Sequence, residues 1–269
     1  MGISAGVSAG IEQRENTFEV DFAYGGERGS MFFPSRMENH IQVQRLKKFG
    51  CFEPGTICEI FAKVREDDIC WEIGARFGYF SLLMARKLRS PSQITAFEGN
   101  DLAHKILEKN NVKHLGGDMH MVKSWMGDEV GREVHSLSMG GTLFVNAHSV
   151  VGDPFIYGIT GDEWIRTHDT PDFISMDVEG HELNILKGMP ELLKAQPRIL
   201  LIEVHPEYIR DLGGTHMELI EILKASGYRL DINERWRFMD NKWVSVGEMK
   251  DFLSTIDGKY TCYMLRAER

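Results

Sequence analysis

One stretch restricts what this chain can fold into more than any other: Asp67-Asp68-Ile69-Cys70-Trp71-Glu72-Ile73-Gly74-Ala75-Arg76-Phe77-Gly78-Tyr79-Phe80-Ser81. A short apolar run ends at an acid, two glycines follow in GxxxG spacing, and an apolar helical pattern then begins through Leu82, Leu83, Ala85 and Leu88. That order predicts a strand, a tight turn and a helix. Glycine lets the backbone turn sharply and lets a ligand approach it with no Cβ in the way. The helix that follows aims its N-terminal amides at whatever lies over the turn. Glu98 closes the next apolar run, Ile94-Thr95-Ala96-Phe97. An acid at the end of the neighbouring strand is suited to the two hydroxyls of a ribose.

The spacing argues against a dinucleotide. A pyrophosphate site wants the three close glycines of GxGxxG, and an acid just before the turn repels phosphate. Glu72 would instead attract an ammonium. A cationic nucleoside with an amino-acid tail, S-adenosylmethionine, therefore fits the turn better than NAD. The expected cofactor-binding residues are Glu72, Gly74, Ala75, Gly78 and Glu98. The plain alternative is a glycine turn of an α/β protein that holds no ligand.

The rest of the chain repeats the strand-to-helix alternation. Strands are expected at Ile69 to Glu72, Ile94 to Glu98, Met119 to Lys123, Phe173 to Val178, Ile199 to Val204, Tyr228 to Ile232 and Tyr260 to Leu265. These seven give an open, mostly parallel α/β sheet with helices on both faces. Residues 1–16, rich in Gly, Ser and Ala, are expected to be a flexible N-terminus. Residues 17–66 should form a cap on the sheet: a strand at Thr17 to Phe22, a helix over Arg36 to Phe49 and a second helix opened by Pro54. Residues 67–269 then make up the main domain, with the Gly-rich stretch 127–160 as a hairpin or irregular insertion.

Composition narrows the function classes. A net charge of −9 speaks against a nucleic-acid partner, which needs a basic surface. No apolar run is long enough for a membrane span, and Met1 to Gly6 lacks the features of a signal peptide. The cysteines at 51, 58, 70 and 262 form no CxxC pair, so reduced thiols and a cytoplasmic location are expected. Cys70 and Cys262 read as small buried hydrophobes.

Ligands of such sheets bind outside the carboxyl ends of the strands. That edge collects Glu72, Glu98, Asp177 and His205. Asp177-Val178-Glu179-Gly180-His181-Glu182 is the densest run; helix capping accounts for part of it, since acids favour a first helical turn, but Asp177 sits on the strand itself. His205 precedes Pro206 at the same edge.

The sequence resembles the FkbM family of S-adenosylmethionine-dependent methyltransferases. The resemblance is carried by Trp71 to Ser81, by Ala96-Phe97-Glu98, by Pro171 to Gly188 with its Asp177-Val178-Glu179-Gly180-His181-Glu182 block, and by Leu201-Ile202-Glu203-Val204-His205. It implies a class I methyltransferase (Rossmann-like) sheet, cofactor at the glycine turn and, usually, methyl transfer to an oxygen of a small-molecule or carbohydrate-like acceptor. Three positions depart from the family pattern: Arg76 where Asn is common, Gly99 where Pro follows the acid, and Ser175 where Lys is frequent. Transfer to a hydroxyl needs a proton acceptor, and Asp177 and His205 are the expected catalytic residues. Asp177 with Glu203 offers too few oxygens for a hard cation, so no metal is assigned. Two other readings are a nucleoside-binding module without turnover and an NAD oxidoreductase; the glycine spacing disfavours the second.

Overall fold

A computed structural model describes residues 16–24, 26–131, 133–139, 142–146, 155–238, 242–256 and 261–269. The expectation of a flexible start falls on 1–16, of which all but Asn16 lies outside the described residues.

The chain opens with an antiparallel hairpin, β1 (Thr17–Tyr24) and β2 (Glu27–Pro34). Helices α1 (Ile41–Phe49) and α2 (Pro54–Lys63) follow. The helix expected over Arg36 to Phe49 is broken: a short 3-10 turn covers Ser35–Met37, and α1 starts only after His40, whose ring accepts the Gln42 N–H. These elements share an apolar cluster with the main sheet's helices. Val20, Phe22, Met31, Phe33, Val43 and Leu46 pack with Phe77, Tyr79, Leu82, Ala103 and Ile106.

The main sheet begins with β3 (Cys70–Ile73), α3 (Tyr79–Met84), β4 (Ile94–Phe97), α4 (Asp101–Leu115) and β5 (His120–Val122). Local chemistry fixes the boundaries of α4: Asn100 caps the first turn through the Ala103 N–H at 2.9 Å, and Gly116 leaves the helix at φ 69°. Asn110 of α4 accepts the Phe32 N–H and donates to the carbonyls of Phe32 and Phe77. One amide thus ties the hairpin to the glycine turn.

Of the two expectations for 127–160, the hairpin is present: two of its strands pair antiparallel. With β6 (Trp125–Met126), the strands β7 (Glu133–Met139), β8 (Thr142–Asn146) and β9 (Phe155–Ile159) make a second sheet in the order β6-β9-β7-β8. A short α5 (Gly161–Trp164) returns the chain to the main sheet.

The second half runs β10 (Phe173–Met176), α6 (Glu182–Lys187), α7 (Pro190–Ala195), β11 (Ile199–Val204), α8 (Pro206–Asp211), α9 (His216–Ala225), β12 (Arg229–Asn233), β13 (Val244–Ser245), α10 (Lys250–Ile256) and β14 (Tyr263–Glu268). Strand order is β13-β12-β14-β11-β10-β3-β4-β5, parallel from β5 to β11 and antiparallel beyond. The seven expected strands are present, and the two-residue β13 adds an eighth at one edge. Every residue of β11 is buried, as an almost wholly apolar central strand should be. Connections leave β3 toward β4 on one side and β10 lies on the other, so the strand order reverses between β3 and β10. A crevice opens at the carboxyl ends there, where open α/β sheets bind ligands.

Candidate active site

A cavity of about 420 Å³ occupies that crevice, within the ~300–1,000 Å³ typical of small-molecule sites. Its floor comes from the strand ends: Glu72 and Ile73 of β3, Glu98 after β4, Ser175 and Asp177 of β10 and its exit, and Glu203 of β11. Phe52, Tyr79, Phe80, Phe97 and Trp125 supply aromatic walls, while His40 and the α1 residues Gln42 and Arg45 line one side.

The glycine turn is tied down by β4. Both the Gly74 and Ala75 N–H groups donate to the Phe97 carbonyl, at 3.0 and 3.1 Å. Gly74 has φ 84°, and a Cβ there would fall 1.9 Å from the Asp177 carbonyl oxygen; only glycine lets β3 and β10 approach so closely. Gly78 does not line the cavity. It caps α3 at φ 83° and faces Leu107 of α4, which a Cβ would meet at 2.6 Å. Of the five residues assigned to the cofactor, Glu72, Gly74, Ala75 and Glu98 thus share one cavity and Gly78 supports it from behind.

Glu98 accepts the Arg76 N–H on Oε2 at 2.7 Å and the Asn100 N–H on Oε1 at 2.6 Å. Burial raises its carboxyl above the usual range, and those two N–H groups oppose the rise. A carboxylate has about four acceptor positions, so the orientation is fixed while capacity remains for a diol. Glu72 is also buried and accepts the Ser81 hydroxyl. Burial pushes it up to about 8 despite Ser81, so a cation arriving nearby would return it to the charged form.

Across the cavity stands a second group, built on the exits of β10 and β11. His205 is buried, and its Nδ1 lies 2.7 Å from Glu182 Oε1, which also accepts the Gly180 N–H at 3.0 Å. Nδ1 therefore carries a proton, and Nε2 faces Glu203 and Glu179 at 3.5 Å and Asp177 at 3.9 Å. Burial alone would lower the imidazole, but the Glu182 charge and hydrogen bonds to Cys262, Glu182 and Glu203 raise it well above its ordinary value. The charged imidazolium is thereby favoured.

Asp177 lines the cavity with its side chain 43% exposed; its buried Oδ1 accepts no hydrogen bond and lies 3.9 Å from His205 Nε2. Burial and then the Glu203 charge lift it well above the usual range, with His205 acting the other way. Glu179 reaches the same cluster from a left-handed backbone, φ 51°. Strain of this kind, about 1–3 kcal/mol, tends to collect at functional sites.

Several members of the cluster were hidden in the sequence. Arg237, from the segment after β12, bridges Glu203 at 2.5 Å and Glu53, the residue before α2, at 3.5 Å. Burial would raise Glu203, but His205 and Arg237 hold it below the usual range. Two buried acids demand a cation, which is the signal that leads to Arg237. Cys262 departs from its expected role: it is only half-buried, and its thiol joins Glu203 and His205 with all donor atoms within 4.8 Å. Asp177, Glu179 and His205 form a second such group. Those donors have the composition of a cation site, richer in oxygens than Asp177 and Glu203 alone.

Residues 72–230 match the family profile described as the methyltransferase FkbM domain. A hexuronic acid methyltransferase, AglP, from Haloferax volcanii is 28% identical over 158 residues, covering 57% of this chain and 62% of that protein. The chain thus spans about three-fifths of that relative's length. Similar solved structures include a methyltransferase FkbM from Methylobacillus flagellatus KT, with TM-score 0.48, 17% identity and coverage of 75% of this chain and 44% of that one. Another is a SAM-dependent O-methyltransferase from Thermotoga maritima, with TM-score 0.45, 14% identity and coverage of 92% and 76%.

Proposed function

Because the chain belongs to the FkbM methyltransferase family and has the class I methyltransferase fold, we propose that it is an S-adenosylmethionine-dependent methyltransferase acting on a hydroxyl of a small, carbohydrate-like acceptor. One observation carries the reading: the Asp177 carboxylate, which accepts no hydrogen bond on Oδ1, lies in the same cavity as Glu72 and Glu98. The donor set fits the cofactor. Glu98 would hold the ribose diol, Glu72 would neutralise the ammonium, and the aromatic walls would cover the base. The acid lining suits a sulfonium cation and not a phosphate. When bound, the cofactor supplies an electrophilic methyl group on that sulfonium.

The chain's own residues then have two tasks. The first is to hold the acceptor oxygen in line at near-contact distance, which is the larger part of such catalysis. The second is to take the hydroxyl proton. Asp177 is the base: burial and then Glu203 make it more basic than an ordinary carboxylic acid, and His205, 3.9 Å away, opposes that rise. His205, held by Glu182, which favours its charged form, positions the cluster. A hydroxyl needs such a base, whereas a carboxylate nucleophile would be repelled by Asp177, Glu179 and Glu203. The relative described as a hexuronic acid methyltransferase supports a sugar-like acceptor. Four free thiols support a cytoplasmic setting, and no helix among the described residues is long and apolar enough to cross a membrane.

The test is release of S-adenosylhomocysteine by the full chain over a panel of neutral and acidic glycosides. Acceptor-dependent release supports the reading. Tight cofactor binding without release on any glycoside or small hydroxyl compound would instead make this a binding module.

A further inference from the structure

The cap wall of the cavity carries cations that the proposed chemistry leaves unused. Arg76 stands between the two turn glycines with a left-handed backbone, φ 52°, a conformation that a long side chain rarely adopts and that Asn tolerates far better. Its backbone N–H serves Glu98, but its guanidinium turns to the cap, donating to Gln42 Oε1 at 3.2 Å and lying over the Phe77 ring. Its Nε is buried with no partner. Asp177, Glu179, Glu98 and Glu53 all act on its charge, yet none is an ion-pair partner. Arg45, half-buried on α1, lines the same cavity and has no hydrogen bond or ion pair among the described residues. His40 lies beside them; its Nδ1 accepts the Gln42 N–H, so the proton of the neutral ring is on Nε2.

Two arginines without ion partners in a chain of net charge −9 are hard to explain as structure. Acids are plentiful, and arginine pairs readily with any within reach. Here Arg45 and Arg76 line the cavity, Arg76 within electrostatic reach of Asp177, Glu179 and Glu98 but ion-paired with none of them. The pocket thus holds acids at the strand ends together with two guanidinium groups that those acids do not pair. Arg45 sits on α1, where the exposed Ile41 also borders the cavity, which is the side open to an entering ligand.

We propose that Arg45, Arg76 and His40 form an anion subsite that takes the carboxylate of an acidic sugar acceptor and turns its hydroxyl toward Asp177. The assignment rests on the O-methyltransferase reading above. It goes further in stating that the acceptor carries a negative charge remote from the methylated oxygen. A planar carboxylate matches the guanidinium fork, and a neutral hexoside would leave both arginines unmet. The cofactor's own amino-acid carboxylate is the competing source of the same chemistry, and the experiment separates the two.

Equilibrium binding of methyl glucuronide and methyl glucoside to the full chain loaded with S-adenosylhomocysteine reads the subsite without turnover. The glucuronide should bind at least about tenfold more tightly, as expected for charge-assisted hydrogen bonds. R45Q and R76Q should each remove most of that preference, with R76K retaining part of it, while S-adenosylhomocysteine affinity stays near wild type. R45Q guards against a folding defect in the buried R76Q. Equal binding of both glycosides by the wild type overturns the subsite. Loss of S-adenosylhomocysteine affinity in R45Q and R76Q also overturns it and gives the arginines to the cofactor. Charge discrimination in binding without methyl transfer to any glycoside would sink the O-methyltransferase reading and leave the subsite standing; methyl transfer without charge discrimination would do the reverse.

Discussion

Glu98→Ala separates cofactor recognition from folding, provided that both are measured. In the ligand-free protein the carboxylate accepts two backbone N–H groups, from Arg76 at 2.7 Å and Asn100 at 2.6 Å. With about four acceptor positions on a carboxylate, about two remain for a ribose diol. Hydrogen bonds to a charged acceptor contribute about 1.5–3 kcal/mol each. Losing two therefore removes about 3–6 kcal/mol of binding, or roughly two to four decades of affinity. Water entering the space vacated in the cavity returns part of this, so the firm expectation is a loss of at least about tenfold. The same truncation strips two N–H groups of their acceptor, at about 1–3 kcal/mol each where water cannot reach them. Glu98→Gln keeps the volume and one acceptor oxygen, and it should fall between wild type and Ala on both scales. Calorimetric titration with S-adenosylhomocysteine, paired with thermal melts, distinguishes the effects. A Glu98→Ala variant that melts cooperatively and binds as tightly as wild type would refute the ribose assignment.

Other outcomes follow from the same geometry. Asp177→Asn should lower kcat/KM for a verified acceptor by about 10²–10⁴, the usual contribution of a general base, with cofactor affinity nearly unchanged; full turnover would place the base elsewhere. Glu72 rises from an ordinary 4.5 to about 8 in the folded protein, so the folded state binds the proton more strongly and stability falls as pH rises through that window. Glu72→Gln should accordingly become more stable relative to wild type between those pH values, and cofactor binding near pH 7 should release a proton in wild type but not in the variant. Calorimetry in two buffers of different ionisation enthalpy detects that release, and its absence in wild type would contradict the placement of the ammonium. Treatment with EDTA should leave turnover unchanged if Asp177 is the base; loss on chelation with rescue by Mg²⁺ would transfer that role to a cation at Asp177, Glu179 and His205. Residues 17–66 expressed alone should lack cooperative melting by circular dichroism, because their apolar side chains share a cluster with α3 and α4.

The parts of this architecture readable from sequence are those with one dominant physical signal. Central strands such as β11 are almost wholly apolar, and β3 and β10 end at acids, so both the sheet and its functional edge follow from hydrophobic runs alone. The partner strand β2, Glu-Arg-Gly-Ser-Met-Phe-Phe-Pro, has no alternation to mark it; its register comes from the facing β1 and from Asn110 far along the chain. The break before α1 was equally silent, because the cap is a histidine where serine or aspartate usually gives the signal. In the site, Glu182 reads locally as a helix-start acid, yet it is fully buried and fixes the His205 ring. Arg237 and Glu53 come from segments with no motif, and only three-dimensional charge balance brings them to Glu203. Arg76 is visible as a departure from a family pattern, while its guanidinium's lack of an acidic partner is not.

The measurement that bears most directly on the central claim is the fate of a labelled methyl group. The full chain, S-adenosylmethionine carrying ¹³C on the sulfonium methyl, and a glycoside acceptor are incubated together, and the product is followed by carbon NMR. The expected product is a new methyl-ether carbon on a sugar oxygen, formed with stoichiometric S-adenosylhomocysteine and greatly slowed in Asp177→Asn. Label that appears in a methyl ester or on nitrogen, or that forms at the wild-type rate without Asp177, would contradict it.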